Sequence, residues 1–239
     1  MCKMSLNFSR QTKLVPTEEI NQYKIKVFGV GSVGSYVTKL LAKVGFNKIE
    51  VYDMDIVEEE NLSAQAFDFR HLKKTKVDAM KEIVKECAGI DIKTHHGQIT
   101  KDTPIEGEPN TIYCCFFDSF EARQLVFDFI KPLPTIFVDA RIGGYNMRHY
   151  FVECSNQKDK EDYESTLNTG ASSELGCGEK ANAMINMQIA GKIVANIVNF
   201  IRGQRYVKRY LGNIEDPKND IVVYNERGKQ NDATSEQDL

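Results

Sequence analysis

The run Lys24-Ile25-Lys26-Val27-Phe28 ends in Gly29-x-Gly31-x-x-Gly34, and Tyr36 to Val44 follows with helical spacing. This strand, glycine turn and helix constrain the chain more than anything else in it. The missing side chains permit a tight turn, let the backbone approach a phosphate and aim helix N–H groups at it. By itself the pattern suits a nucleotide, a dinucleotide or a merely structural glycine turn. Asp53 closes the next strand, Lys48-Ile49-Glu50-Val51-Tyr52, about 20 residues on. A strand end delivers carboxylate oxygens beside a phosphate crevice, so this is where a ribose-binding acid belongs.

The alternation continues. A helix over 76–86 leads to a strand at Ile90-Asp91-Ile92-Lys93-Thr94, and a helix over 120–130 separates the apolar strands Thr111 to Phe116 and Thr135 to Asp139. Strands apolar on both sides predict an α/β fold, a Rossmann-like, mostly parallel sheet flanked by helices. Beyond the run Tyr150-Phe151-Val152-Glu153, residues 155–178 are polar and no regular element is expected there, only a crossover loop. A long C-terminal helix is expected over about 181–201. Its residues Ile185, Gln188, Ile189, Lys192, Ile193, Asn196, Ile197 and Phe200 step at three and four, and Gly203 marks its end. The expected organisation is an N-terminal arm (1–22), one domain (23–225) and a polar, disordered tail (226–239).

With 239 residues, 41% hydrophobic and 27% charged, the chain has ordinary globular composition and enough apolar material for a sizeable core. A formal net charge of −3 gives no basic field of the kind nucleic-acid binding leaves in composition, so a nucleic-acid partner is not expected. Apolar runs reach only about eight residues, against the roughly 20 a membrane span needs, and the first residues lack a signal-peptide core. A cytoplasmic protein is expected. Cys2, Cys87, Cys114, Cys115, Cys154 and Cys177 are scattered without a CxxC pair, which indicates neither a disulfide framework nor a zinc site.

A simple NAD enzyme has no use for the residues after Asp53, namely Met54-Asp55-Ile56-Val57-Glu58-Glu59-Glu60-Asn61-Leu62-Ser63-Ala64-Gln65 and then Lys76 opening a helix. This string resembles the ubiquitin-activating-enzyme-like family of ThiF and MoeB, which carries strand-GxGxxG-helix-strand-DxDxVxxxNLxRQ-loop-Lys in that order. Asp118-Ser119 with Arg123 is similar to a later element of that family, and so are Phe8-Ser9-Arg10-Gln11 upstream and Asp139-Ala140-Arg141-Ile142-Gly143-Gly144 downstream. The match covers roughly residues 8–200, and the joint order of its elements is far more specific than any one of them.

The resemblance implies an ATP-dependent adenylyltransferase that activates the C-terminal carboxylate of a ubiquitin-like or sulfur-carrier protein. Gly29, Gly31 and Gly34 would lie at the phosphates. Asp53 would accept hydrogen bonds from the ribose hydroxyls, and Asn61 and Gln65 would bind the phosphates through their amides. Lys76 would neutralise triphosphate charge and Asp118 would hold Mg2+. Arg10 would reach from the neighbouring subunit of a homodimer to stabilise the departing pyrophosphate. Without the resemblance, Lys76 reads as a solvated helix start, Asp118 as a cap for the helix 120–130, Asp55 as a turn-orienting residue and Arg10 as a solvated charge.

Ala64 departs from the family pattern, which has arginine there, and so removes a bidentate phosphate donor. Arg70 is near enough in sequence to be a candidate replacement. Cys177 lies between glycines just ahead of the long helix, where a helix N-terminus favours a thiolate. It reads either as a thioester-forming nucleophile or as a small residue allowing close backbone approach. Two rival functions remain: an NAD-dependent oxidoreductase, and a carrier-binding adaptor of the same family weakened by Ala64. Adenylation of a tRNA base also lies within the family, and the acidic balance does not favour it.

Overall fold

A computed structural model of the chain describes residues 6–105, 107–167 and 182–225. A short helix α1 (Thr17–Ile20) precedes strand β1 (Lys24–Phe28), helix α2 (Ser32–Val44) and strand β2 (Ile49–Asp53). Helix α3 (Lys76–Ala88), strands β3 (Lys93–His96) and β4 (Thr111–Cys115), helix α4 (Phe120–Ile130) and strand β5 (Ile136–Gly143) come next. Strand β6 (Asn146–Glu153), helices α5 (Gln157–Ser165) and α6 (Ala183–Ile201), and strands β7 (Val207–Asn213) and β8 (Ile221–Tyr224) complete the fold. One eight-stranded sheet runs β3-β2-β1-β4-β5-β6-β7-β8. The first five of these pair in parallel and the rest antiparallel.

Alternation along β1 assigns its side chains to opposite faces. Ile25 and Val27 join the core beneath α2, α3 and α6, and Phe28 joins a second core beneath α4 and α5. The helices end where local chemistry stops them. Gly45 and Gly89 take left-handed backbone after α2 and α3, and Thr75, Ser119 and Asn182 cap α3, α4 and α6 through their side chains.

Two expectations shift. The strand after α3 begins three residues late, at Lys93, because its register is set by β2: Lys93 pairs with Glu50 at 3.1 Å and His95 stacks on Tyr52 at 4.2 Å. The crossover read as irregular contains α5. Its polar sequence hides a single inward anchor, Tyr163, which packs edge-on against Phe127 and Phe137, while the Asn156 cap and the Lys158–Asp162 pair support the outer face. Strands β7 and β8 had no expectation at all. Residues 168–181 and 226–239, with Cys177 and the expected tail, lie outside the described residues.

The described part of the β3–β4 connection forms no helix, so a layer of charge covers the neighbouring sheet face. Buried Lys26 meets Glu108 at 2.9 Å and Glu50 at 4.0 Å, and Lys24 pairs with both acids. A buried ammonium requires such partners. By length and composition α6 is apolar enough to cross a membrane, yet Ile185, Ile189, Ile193 and Ile197 pack into the core. The N-terminal arm is docked: Phe8 packs against Gly45, and the Gln11 side-chain amide donates to the Val44 carbonyl at 2.8 Å.

This packing can be tested at two residues. Tyr163→Ala is expected to cost about 3 kcal/mol in urea unfolding; a loss under about 1 kcal/mol would contradict its anchoring role. His149 lies buried between β6 and α6, its Nε2 3.1 Å from the Asn196 amide, and burial pushes its imidazole down to about 3 from an ordinary 6.5. The unfolded chain therefore binds a proton that the folded chain refuses. Stability from this group is full above pH 6.5 and falls as pH drops toward 3. His149→Gln is expected to flatten that part of the acid limb, and parallel wild-type and variant curves would refute the assignment.

Candidate nucleotide crevice

Adjacent parallel strands β1 and β4 continue into helices on opposite faces of the sheet, α2 and α4, so their carboxyl ends part and leave a crevice. The glycine turn lines it. Gly29 adopts φ +88°, and a Cβ there would lie 3.0 Å from the Phe116 backbone. A Cβ on Gly34 would overlap the Gly29 carbonyl oxygen and sit 2.9 Å from its carbon. These two glycines are required by close packing. Gly31 differs: the nearest atom to a Cβ there is the Gln65 Nε2 at 4.0 Å, so the missing side chain leaves space in the crevice rather than filling a contact.

Asp53 is 6% exposed at the end of β2. One of its oxygens accepts from the Val30 N–H at 2.8 Å and the other from the Asp55 N–H at 2.9 Å. Burial pushes this carboxyl above the usual range, against the pull of those two N–H groups and of Lys76. Each oxygen keeps acceptor capacity for a further hydroxyl.

Lys76 arrives beside Asp53 by a backbone device. Residues 55–57 bond back to 73–76, through Val57 N–H to the Lys74 carbonyl at 2.8 Å, Lys73 N–H to the Val57 carbonyl at 2.9 Å and Lys76 N–H to the Asp55 carbonyl at 2.9 Å. The Lys76 ammonium is buried rather than solvated and donates to Asp55 Oδ2 at 2.7 Å. Asp55 therefore holds the lysine as well as shaping the turn.

Between them runs a tight turn. Asn61 Oδ1 accepts from the Glu58 N–H at 3.0 Å, which caps the turn. The Gln65 Oε1 is buried without a hydrogen-bond partner among the described residues. Arg70 does not stand in for an arginine at position 64. It is exposed on the outer side of α3 and engaged by Asp68 at 2.8 Å and Glu86 at 3.0 Å.

Asp118 follows β4, exposed. The cap of α4 belongs to Ser119, whose Oγ accepts from the Ala122 N–H at 3.1 Å, so Asp118 does not serve that purpose. Arg123 turns inward, paired with Asp139 and donating to the Ala140 carbonyl at 3.1 Å. Arg141 completes this buried group with 2.8 Å to Asp139 and 3.0 Å to the Thr166 hydroxyl. Sequence reading gave Asp139 and Arg141 no site role. Opposite charges two residues apart on a strand face that carries Phe137 were the available signal.

Arg10 is exposed on the docked arm between Phe8 and Gln11, at the C-terminal end of α2. The glycine turn lies at the other end of that 13-residue helix, roughly 20 Å away at 1.5 Å per residue. The chain does not bring Arg10 to its own crevice.

The ThiF family profile matches residues 5–235. Among curated proteins, the NEDD8-activating enzyme E1 catalytic subunit of Arabidopsis thaliana is 34% identical over 46% of this chain and 25% of its own length. The SUMO-activating enzyme subunit uba-2 of Caenorhabditis elegans is 38% identical over 54% of this chain and 23% of its own. The chain thus spans about a quarter of these relatives. Among solved structures, PaaA superposes with a TM-score of 0.70 at 15% identity, covering 87% of this chain and 66% of that one. E. coli MccB with AMPCPP and MccA superposes at 0.67 and 17% identity, covering 89% and 66%. At these identities the likeness is one of fold.

The contrast between glycines is testable. Gly34→Ala is expected to lower the melting temperature by several degrees, since its methyl has nowhere to go. Gly31→Ala is expected to melt as wild type, since its methyl enters open space. Equal melting losses in both variants would contradict this division.

Proposed function

Because the chain belongs to the ThiF family, we propose that it is an ATP-dependent adenylyltransferase acting on the C-terminal carboxylate of a ubiquitin-like or sulfur-carrier protein or a peptide. The observation that carries this reading is the grouping of Gly31, Asp53, Gln65 and Lys76 at the carboxyl ends of β1 and β2, with Asp118 following the adjacent β4. Relatives named as NEDD8- and SUMO-activating enzymes, and a structural neighbour holding AMPCPP with MccA, support the choice of substrates. The ThiF membership gives the NAD-dependent reading no support.

In the reaction, a carboxylate oxygen attacks the α-phosphorus of ATP. The bond from that phosphorus to the bridging oxygen breaks, and pyrophosphate leaves with the electron pair. Asp53 holds the ribose, and the backbone N–H groups at Gly31 and the amides of Asn61 and Gln65 hold the phosphates. Lys76 exchanges part of its pairing with Asp55 for phosphate oxygens. The chain's work is positioning and charge stabilisation.

The exposed carboxylate of Asp118 fits Mg2+, which commonly takes one or two protein carboxylates with the remaining positions filled by phosphate oxygens and water; bound there, it would offset charge on the phosphates. Arg10 acts from a second copy of the chain. If a thioester forms afterwards, the Cys177 thiolate attacks the acyl carbon and AMP departs.

Pyrophosphate exchange with ATP, Mg2+ and candidate carrier proteins or peptides tests the reading. Asp118→Ala and Lys76→Ala are each expected to lose about 100-fold or more. Mixing Arg10→Ala with Asp118→Ala subunits is expected to restore part of the activity, since one of the two mixed sites is intact. Absence of ATP binding would sink the proposal, and carrier binding without exchange would favour the adaptor reading that Ala64 motivates.

A further inference from the structure

Three consecutive residues of the loop after Asn61 are each held by a side chain from a neighbouring helix. The Asn186 amide of α6 donates to the Ala64 carbonyl at 2.7 Å, the Tyr36 hydroxyl of α2 donates to the Gln65 carbonyl at 3.2 Å, and the Ala66 N–H donates to the Ser35 hydroxyl at 3.0 Å. Ser35 and Asn186 are wholly buried. Position 186 points into the core face of α6 between Ile185 and Ile189, where an asparagine is costly unless its amide is used. Burial also pushes the Tyr36 phenol up, which keeps its proton available for donation.

A loop of this kind is ordinarily free to move, and each of these bonds ties it to a rigid helix. Their common product is the location of one side chain: the Gln65 amide, standing over Gly31 with its Oε1 unpartnered among the described residues. Ala64 itself offers the crevice no donor. The burden of meeting the phosphates from this loop therefore falls on Gln65, whose short amide must be placed where an arginine could reach.

We propose that Ser35, Tyr36 and Asn186 are positioning residues that preset Gln65 over the glycine turn, and so select for the polyphosphate of the nucleotide rather than its nucleoside. The inference rests on the ATP-site reading above. None of the three residues touches the nucleotide; they act through Gln65.

The test compares affinities for Mg-ATP and for adenosine, whose ribose needs Asp53 but which carries no phosphate. Tyr36→Phe removes one hydroxyl, and Asn186→Leu removes the donor with an uncharged side chain of similar size. Each is expected to weaken ATP about five- to tenfold, the scale of one hydrogen bond, and to leave adenosine within about twofold. In a Gln65→Ala background, Tyr36→Phe is expected to have no further effect on ATP, because its route to the phosphates is gone. Equal losses for ATP and adenosine, or full additivity with Gln65→Ala, would overturn the clamp while leaving the ATP site in place. A wild-type chain that binds neither ligand would overturn both. Should Asn186→Leu fail to fold, the Tyr36→Phe cycle decides alone.

Discussion

The carboxyl edge of the sheet hangs from a contact that tolerates no side chain: the α-carbon of Gly34 seated on the carbonyl of Gly29, with Gly29 itself against the backbone of Phe116. This contact draws α2 down onto β1 and holds β1 against β4 at their carboxyl ends, the place where the sheet order reverses. Because α2 starts there, its free N–H groups face the gap between the two strands. Everything else at the crevice is arranged around that fixed turn. Asp53 is bonded to Val30 inside it, and Gln65 stands above Gly31.

Charge is distributed with the same economy. The acid that ends β2 is desolvated and held by two N–H groups, while the cation that approaches it is tethered by a more exposed neighbour, Asp55. A lysine held this way arrives already oriented, its buried ammonium paired with a carboxylate that reaches solvent. On the opposite face, Arg123, Asp139 and Arg141 form a closed set that ties β5 to α4 and, through Thr166, to the end of α5. Those guanidiniums are bound into the fold, which is why neither supplies the cation that position 64 lacks.

Much of this was legible in the residues. The glycine spacing, the strand ending at Asp53 and the apolar strands 111–116 and 135–139 announce a parallel sheet, because periodicity and turn chemistry are local properties. The ordered string from Asp53 to Lys76 identified the family by resemblance. Legibility failed where partners are distant or where one anchor suffices. Helix α5 buries a lone Tyr163 in an otherwise polar stretch, β7 is a strand because β6 offers it an edge, and β8 because β7 does. Arg70, near Ala64 along the chain, points away from the crevice toward Glu86, while Asn186, more than a hundred residues distant, donates to the Ala64 carbonyl.

Backbone sterics and short-range side-chain chemistry specify, from the chain alone, the sheet class, the glycine turn and the set of residue types a nucleotide crevice would need. Folding settles which of them meet. Lys76 is brought to Asp53 by bonds between residues 55–57 and 73–76, Arg10 is docked at the far end of α2, and Gln65 is held by side chains from two helices. Each placement depends on a fold that brings distant segments within about 3 Å, and spacing along the chain does not encode that distance.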